Sequence, residues 1–184
     1  LGVRAHELGH QLGLADLYDR RSSGFRLAGG LGNWSLMAAG AWIGGGDSPA
    51  DLDAASKVEL GFVDPIVPLA NASGLPLRAA EDAQPPDVYR IWTHGRPEQE
   101  YFVVENRRRS AFEDSLPGSG MLVYHVDLAR PDNDDPERLR VQLLQADGDE
   151  DIERHINNGD AGDPFPGETG NVLLAADTRP SSRA

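Results

Sequence analysis

The eleven residues from His6 to Asp16, His-Glu-Leu-Gly-His-Gln-Leu-Gly-Leu-Ala-Asp, constrain this chain more than any other segment, because they crowd two imidazoles and two carboxylates into one helix and the bend after it. Residues four apart on a helix share a face, about one turn from each other, so His6 and His10 can converge on a single ion. Glu7 then lies beside that ion without being a ligand. Its carboxylate is placed to take a proton from a metal-activated water, the general-base arrangement of an HExxH helix. Gly13 stands where such a helix has to turn sharply, and a residue without Cβ accepts positive φ there at no steric cost. The bend can return Asp16 to the ion as third ligand. Asp19, three residues further on, is the alternative for that position and also a candidate partner for a ligating imidazole. A carboxylate in place of a third histidine lowers the net positive charge of the site by one. The ion expected is zinc.

Organisation changes near Phe62. Before it, the zinc helix is expected from about Val3 to Leu12, then a glycine-rich loop from Ser22 to Gly32. Ser48 as N-cap, Pro49 in the first turn and Gly61 beyond the end predict a second helix over Pro49 to Leu60. After Phe62 the pattern shifts to short segments rich in branched and aromatic residues, separated by Gly, Pro and Asp clusters. Strands are expected at Val63 to Leu69, Val88 to Trp92, Tyr101 to Glu105, Met121 to Val126 and Val141 to Gln145. The division predicted is residues 1–62 for the metal-binding part and 63–184 for a β-rich part that continues the same unit.

The run HELGHQLGLADLYD, followed by Asn33-Trp34-Ser35-Leu36-Met37-Ala38-Ala39-Gly40-Ala41-Trp42, resembles the immune inhibitor A family of secreted bacterial zinc metallopeptidases. Further segments are similar to that family, among them Lys57 to Phe62, Glu105 to Arg107, Leu116 to Asp127, Gln145 to Gly148 and Gly159 to Gly167. The resemblance implies His6, His10 and Asp16 as zinc ligands and Glu7 as general base. It also implies Met37 as the methionine of a metzincin-like turn beneath the metal. Taken alone, Met37 would be an ordinary core residue. The implied activity is zinc-dependent hydrolysis of peptide bonds, with a protein or peptide as substrate and an extracellular location.

The fold class that follows is α+β: a zincin or metzincin-like lower catalytic subdomain with zinc helix, methionine turn and following helix, joined to a β-rich C-terminal part. Zincins carry, upstream of the zinc helix, a sheet whose edge strand aligns the substrate by main-chain pairing. With the motif beginning at residue 6, the chain is expected to be a fragment without that sheet, its signal peptide or its propeptide. A catalytically incomplete, cation-stabilised β-rich interaction module is the rival reading.

Composition narrows the partners. A net charge of −13 disfavours nucleic acid and anionic membranes. There is no cysteine to staple the fold, and no apolar run reaches the roughly 18 residues of a membrane span. Between Pro131 and Glu168, twelve Asp and Glu stand against three Arg. Within that stretch, Asp147 to Asp151 and Asn157 to Asp163 set oxygen ligands between glycines, which suits calcium, although neither run has the closing glutamate of a twelve-residue calcium loop. Glu105, at the head of Asn106-Arg107-Arg108-Arg109, reads as a solvated strand end rather than a substrate clamp. His125 reads as a hydrogen-bonded structural histidine rather than a stabiliser of a tetrahedral intermediate.

Overall fold

The computed structural model describes residues 1–21, 30–82, 85–93 and 95–183, so most of the expected loop from Ser22 to Gly32 lies outside the described residues. The first helix, α1, spans Gly2–Gln11 and buries Gly2, His6 and Gly9 on one face. It ends because Gly13 takes φ +105°, while the amides of Gly13 and Leu14 turn back to the carbonyls of His10 and Gly9. Against the buried face lies a compact unit made of a 3-10 turn at Gly32–Trp34, a bend through Ser35 to Ala38, and a 3-10 segment at Ala39–Gly46 kinked at Ile43 to Gly45. A Cβ on Gly9 would stand 2.4 Å from the sulfur of Met37, so the helix approaches the methionine as closely as it does only because that residue is glycine.

The second helix, α2, is shorter than predicted. It spans Ala54–Glu59, with Asp53 rather than Ser48 as its N-cap. The Asp53 carboxylate accepts from the Ser56 amide at 2.9 Å. Residues 50 and 51 pair instead with the bend, the Ala50 amide donating to the Gly40 carbonyl and the Leu36 amide to the Asp51 carbonyl. Those bonds occupy backbone that a longer helix would have needed for itself.

The β-rich part forms one antiparallel sheet in the order β1 (Tyr89–Trp92), β2 (Glu100–Arg107), β3 (Gly120–Asp127), β4 (Val141–Leu143). The strand predicted at Val63 to Leu69 is not formed. Only Ile66 bridges Tyr89, in parallel sense, because Pro65 and Pro68 on either side have no amide to give. β4 also stops early, and beyond it the Gln145 side chain accepts from the amides of Asp151 and Ile152 in place of a ladder partner.

Alternation along β2 and β3 sorts the residues onto two faces. Tyr101, Val103, Leu122, Tyr124 and Val126 enter a core that also holds Leu14, Leu17, Trp34, Met37 and Ala54, so one hydrophobic cluster draws on both sides of residue 62. Phe102, Val104 and Val123 face the other way and pack with Tyr89, Ala146 and Phe165. Glu105 and Arg107 fall on the inner face. The expectation of a solvated strand end is therefore wrong: both residues are 0% exposed. The Glu105 carboxylate accepts from Arg107 at 3.1 Å and from the Tyr124 hydroxyl at 2.7 Å, and Arg107 also pairs with Glu113. A buried guanidinium between two carboxylates replaces the solvent the strand end was expected to meet. His125, on the outer face, sits 2.9 Å from Glu100, a paired histidine on the side of the sheet away from Met37.

Candidate metal centre

Helix α1 and the bend after it bring the three predicted ligands together. The His6 and His10 Nε2 atoms are 3.1 Å apart, and Asp16 Oδ1 lies 3.2 Å from the first and 3.3 Å from the second. The other ring nitrogens are committed. His6 Nδ1 donates to the Leu36 carbonyl at 2.8 Å and His10 Nδ1 to the Leu14 carbonyl at 2.9 Å. A carbonyl only accepts, so each Nδ1 carries a proton and each ring turns its Nε2 inward. Two ring nitrogens and a carboxylate oxygen thus face one another across 3.1 to 3.3 Å.

Asp16 Oδ1 is buried and has no hydrogen-bond partner among the described residues. Such an oxygen costs free energy unless a cation or a donor meets it. Zinc fits the donor set. Edges of 3.1 to 3.3 Å belong to a tetrahedron whose centre lies about 2.0 Å from each corner, and that is the zinc–nitrogen and zinc–oxygen bond length.

The surroundings differ from side to side. Against Gly9 on the buried face of α1, Met37 is 0% exposed, and its carbonyl accepts from the Leu17 amide at 2.9 Å, tying the bend to the segment just after Asp16. Tyr18 lies over His6, ring centroids 6.5 Å apart, and burial together with the Asp16 charge pushes its hydroxyl up to about 12. Trp42, half exposed, stands 5.9 Å from the His6 ring. Glu7, next to His6 on the helix, is exposed. Asp19 does not join the cluster and instead accepts from the amide and Nε of Arg21 at 2.8 and 3.2 Å.

The two acidic runs also meet. Asp147, Asp160 and Asp163 offer oxygens within 4.8 Å of one another. Here, however, amides and an indole already point at the carboxylates. Asp163 Oδ2 accepts from Trp34 Nε1 and the Asp160 amide, Asp160 from the Gly162 amide and Asn157, and Asp147 from the Asp149 amide.

Sequence reading missed the supports of this corner: the Leu36 and Leu14 carbonyls, the link from Ser35 to Asp53, and the indole of Trp34 bonded to Asp163. The one signal that could have found any of them is Asp53 three residues before Ser56, an N-cap spacing passed over in favour of Ser48.

Two imidazoles and a carboxylate presented by one helix and its following bend, with a glutamate beside the first imidazole, make up the donor set of the HExxH class of metal centres. Residues 1–60 match the family model described as Immune inhibitor A peptidase M6, catalytic domain, so the likeness to that family is shown over this segment. The chain is also similar to the Pre-pro-metalloprotease PrtV of Vibrio cholerae serotype O1, from two strains, at 41% identity over 58 residues in each. That stretch is 30% of this chain and only 6% of the relative's length. No solved structure matches the chain significantly.

Proposed function

We propose that the chain carries the zinc centre of a metalloendopeptidase, with His6, His10 and Asp16 as ligands and Glu7 as general base. The observation that carries this reading is the convergence of two Nε2 atoms on a buried carboxylate oxygen that has no hydrogen-bond partner among the described residues. The peptidase family matched by residues 1–60 supports it, as does the metalloprotease PrtV. Zinc, when bound, supplies a Lewis acid for a peptide carbonyl and acidifies water to a pKa of about 7.

The residues do the rest. The Leu36 and Leu14 carbonyls hold both imidazoles in the ligating tautomer. Glu7, on the exposed side of α1, takes the proton of the attacking water and returns it to the leaving amine. Met37 fills the floor under α1 as the turn methionine of a metzincin-like lower subdomain, and residues 63–184 complete the same unit through the shared core. The substrate is a protein or peptide, and the protein is secreted. No helix among the described residues is long and apolar enough to cross a membrane.

Zinc content after dialysis, measured beside hydrolysis of a protein and a simple ester, tests the reading. One zinc per chain with a Glu7-dependent cleavage of protein supports it. Zinc without any hydrolysis favours the rival, a β-rich interaction module. For calcium, the place offered is Asp147, Asp160 and Asp163. That reading stands only if calcium chloride raises the unfolding temperature of the EDTA-treated chain and Asp160→Asn removes the rise.

A further inference from the structure

The carbonyl that orients His6 belongs to a peptide group that is itself gripped from the far side. Leu36 C=O and Met37 N–H are the two ends of one planar unit, so whatever fixes one end fixes the other. The Met37 amide donates to Ser35 Oγ at 3.0 Å, and that hydroxyl donates to Asp53 Oδ2 at 2.6 Å. Asp53 also accepts from the amide and hydroxyl of Ser56, at 2.9 and 2.7 Å, and so is locked to the first turn of α2. Ser35 and Asp53 are both 0% exposed. A continuous buried chain of hydrogen bonds therefore runs from α2 through Asp53, Ser35 and the Leu36–Met37 peptide to Nδ1 of His6. Among the described residues His10 has no such chain: its Nδ1 meets the Leu14 carbonyl, part-buried and four residues away on the same stretch of backbone.

We propose that Ser35 and Asp53 are positioning residues for the metal centre, acting through the Leu36–Met37 peptide group to hold His6 in its ligating tautomer and to strengthen Nε2 as a donor. This rests on the zinc reading above. Ligating histidines depend on the group that accepts from their other nitrogen, and hydrogen bonds in series polarise one another in a low-dielectric interior. In this chain a hydroxyl and a peptide unit are interposed between the carboxylate and the imidazole. Neither residue belongs to the His6, His10 and Asp16 set.

The test uses the full 184-residue chain as wild type, Ser35→Ala, Asp53→Asn and Ser35→Thr. Zinc affinity is read by competition with a chromophoric chelator, cobalt(II) is added for its visible spectrum, and histidine ring nitrogens are followed by NMR. Ser35→Ala is expected to weaken zinc binding by about tenfold or more, alter the cobalt spectrum and shift the ring signals of His6 while leaving those of His10 in place. Ser35→Thr, which keeps the hydroxyl, restores affinity. Asp53→Asn keeps a competent helix cap and carries the test if Ser35→Ala fails to fold. Folded Ser35→Ala and Asp53→Asn chains with wild-type zinc affinity, cobalt spectrum and His6 signals would overturn the proposal and leave the zinc reading standing. A wild-type chain that takes up no zinc overturns both.

Discussion

The molecule has two places where three metal-capable side chains meet, and they are built in opposite ways. At His6, His10 and Asp16 the outer nitrogens are tied to backbone carbonyls, and the inward Asp16 Oδ1 has no hydrogen-bond partner among the described residues. At Asp147, Asp160 and Asp163, amides, an asparagine and an indole already donate to the carboxylates. Both clusters satisfy a count of ligands. The first leaves a buried oxygen without a donor, whereas in the second burial opposes charge on carboxylates that already have donors, so hydrogen-bond bookkeeping separates them where ligand counting does not.

The largest effect should come from removing the orphaned carboxylate. Asp16→Ala is expected to take zinc from one per chain to none after dialysis, whereas Asp160→Ala keeps it. If Asp19→Ala released the metal and Asp16→Ala did not, the third ligand would be misassigned. Next, Glu7→Gln should retain zinc and lower hydrolysis of a protein substrate by roughly 10²- to 10⁴-fold, the range for loss of a general base. Zinc loss in that variant would make Glu7 a ligand instead.

The Glu105–Arg107–Glu113 group lies beneath the peptide that leads to the first cluster, with Arg107 Nη1 donating to the Trp34 carbonyl at 3.4 Å. Arg107→Ala strands two buried carboxylates and should cost about 3–5 kcal/mol in urea unfolding. A loss below about 1 kcal/mol would mean water reaches the pair.

The smallest effect belongs to the second cluster. Burial pushes the Asp163 carboxyl up to about 7 from an ordinary 3.8, against the pull of Trp34 and the Asp160 amide. The folded chain then keeps a proton that the unfolded chain releases, so Asp163 contributes a loss of stability as pH rises from about 4 to about 7. Asp163→Asn should flatten that part of the pH dependence in urea titrations of the EDTA-treated chain. An unchanged slope would place the titration elsewhere.

Local rules were enough for much of this. The helical spacing of His6 and His10, the glycine at 13 and the carboxylate at 16 announced the first cluster, and runs of branched and aromatic residues between Gly, Pro and Asp clusters announced four of the five strands. They failed where a partner remote in sequence decided the outcome. Pro49 opened no helix, because residues 50 and 51 hydrogen-bond to Gly40 and Leu36, and Glu105 faced inward because Arg107, Tyr124 and Glu113 were waiting there.

What the sequence determined by itself is chemistry carried by neighbours in the chain, since a helix places residues four apart on one face whatever surrounds it. Only the tertiary structure decided which atoms were left without a donor, which carboxylates were already satisfied, and that His6 is held through Ser35 and Asp53. Those depend on side chains meeting across tens of residues, where burial turns a missing partner into a cost and a present one into a constraint.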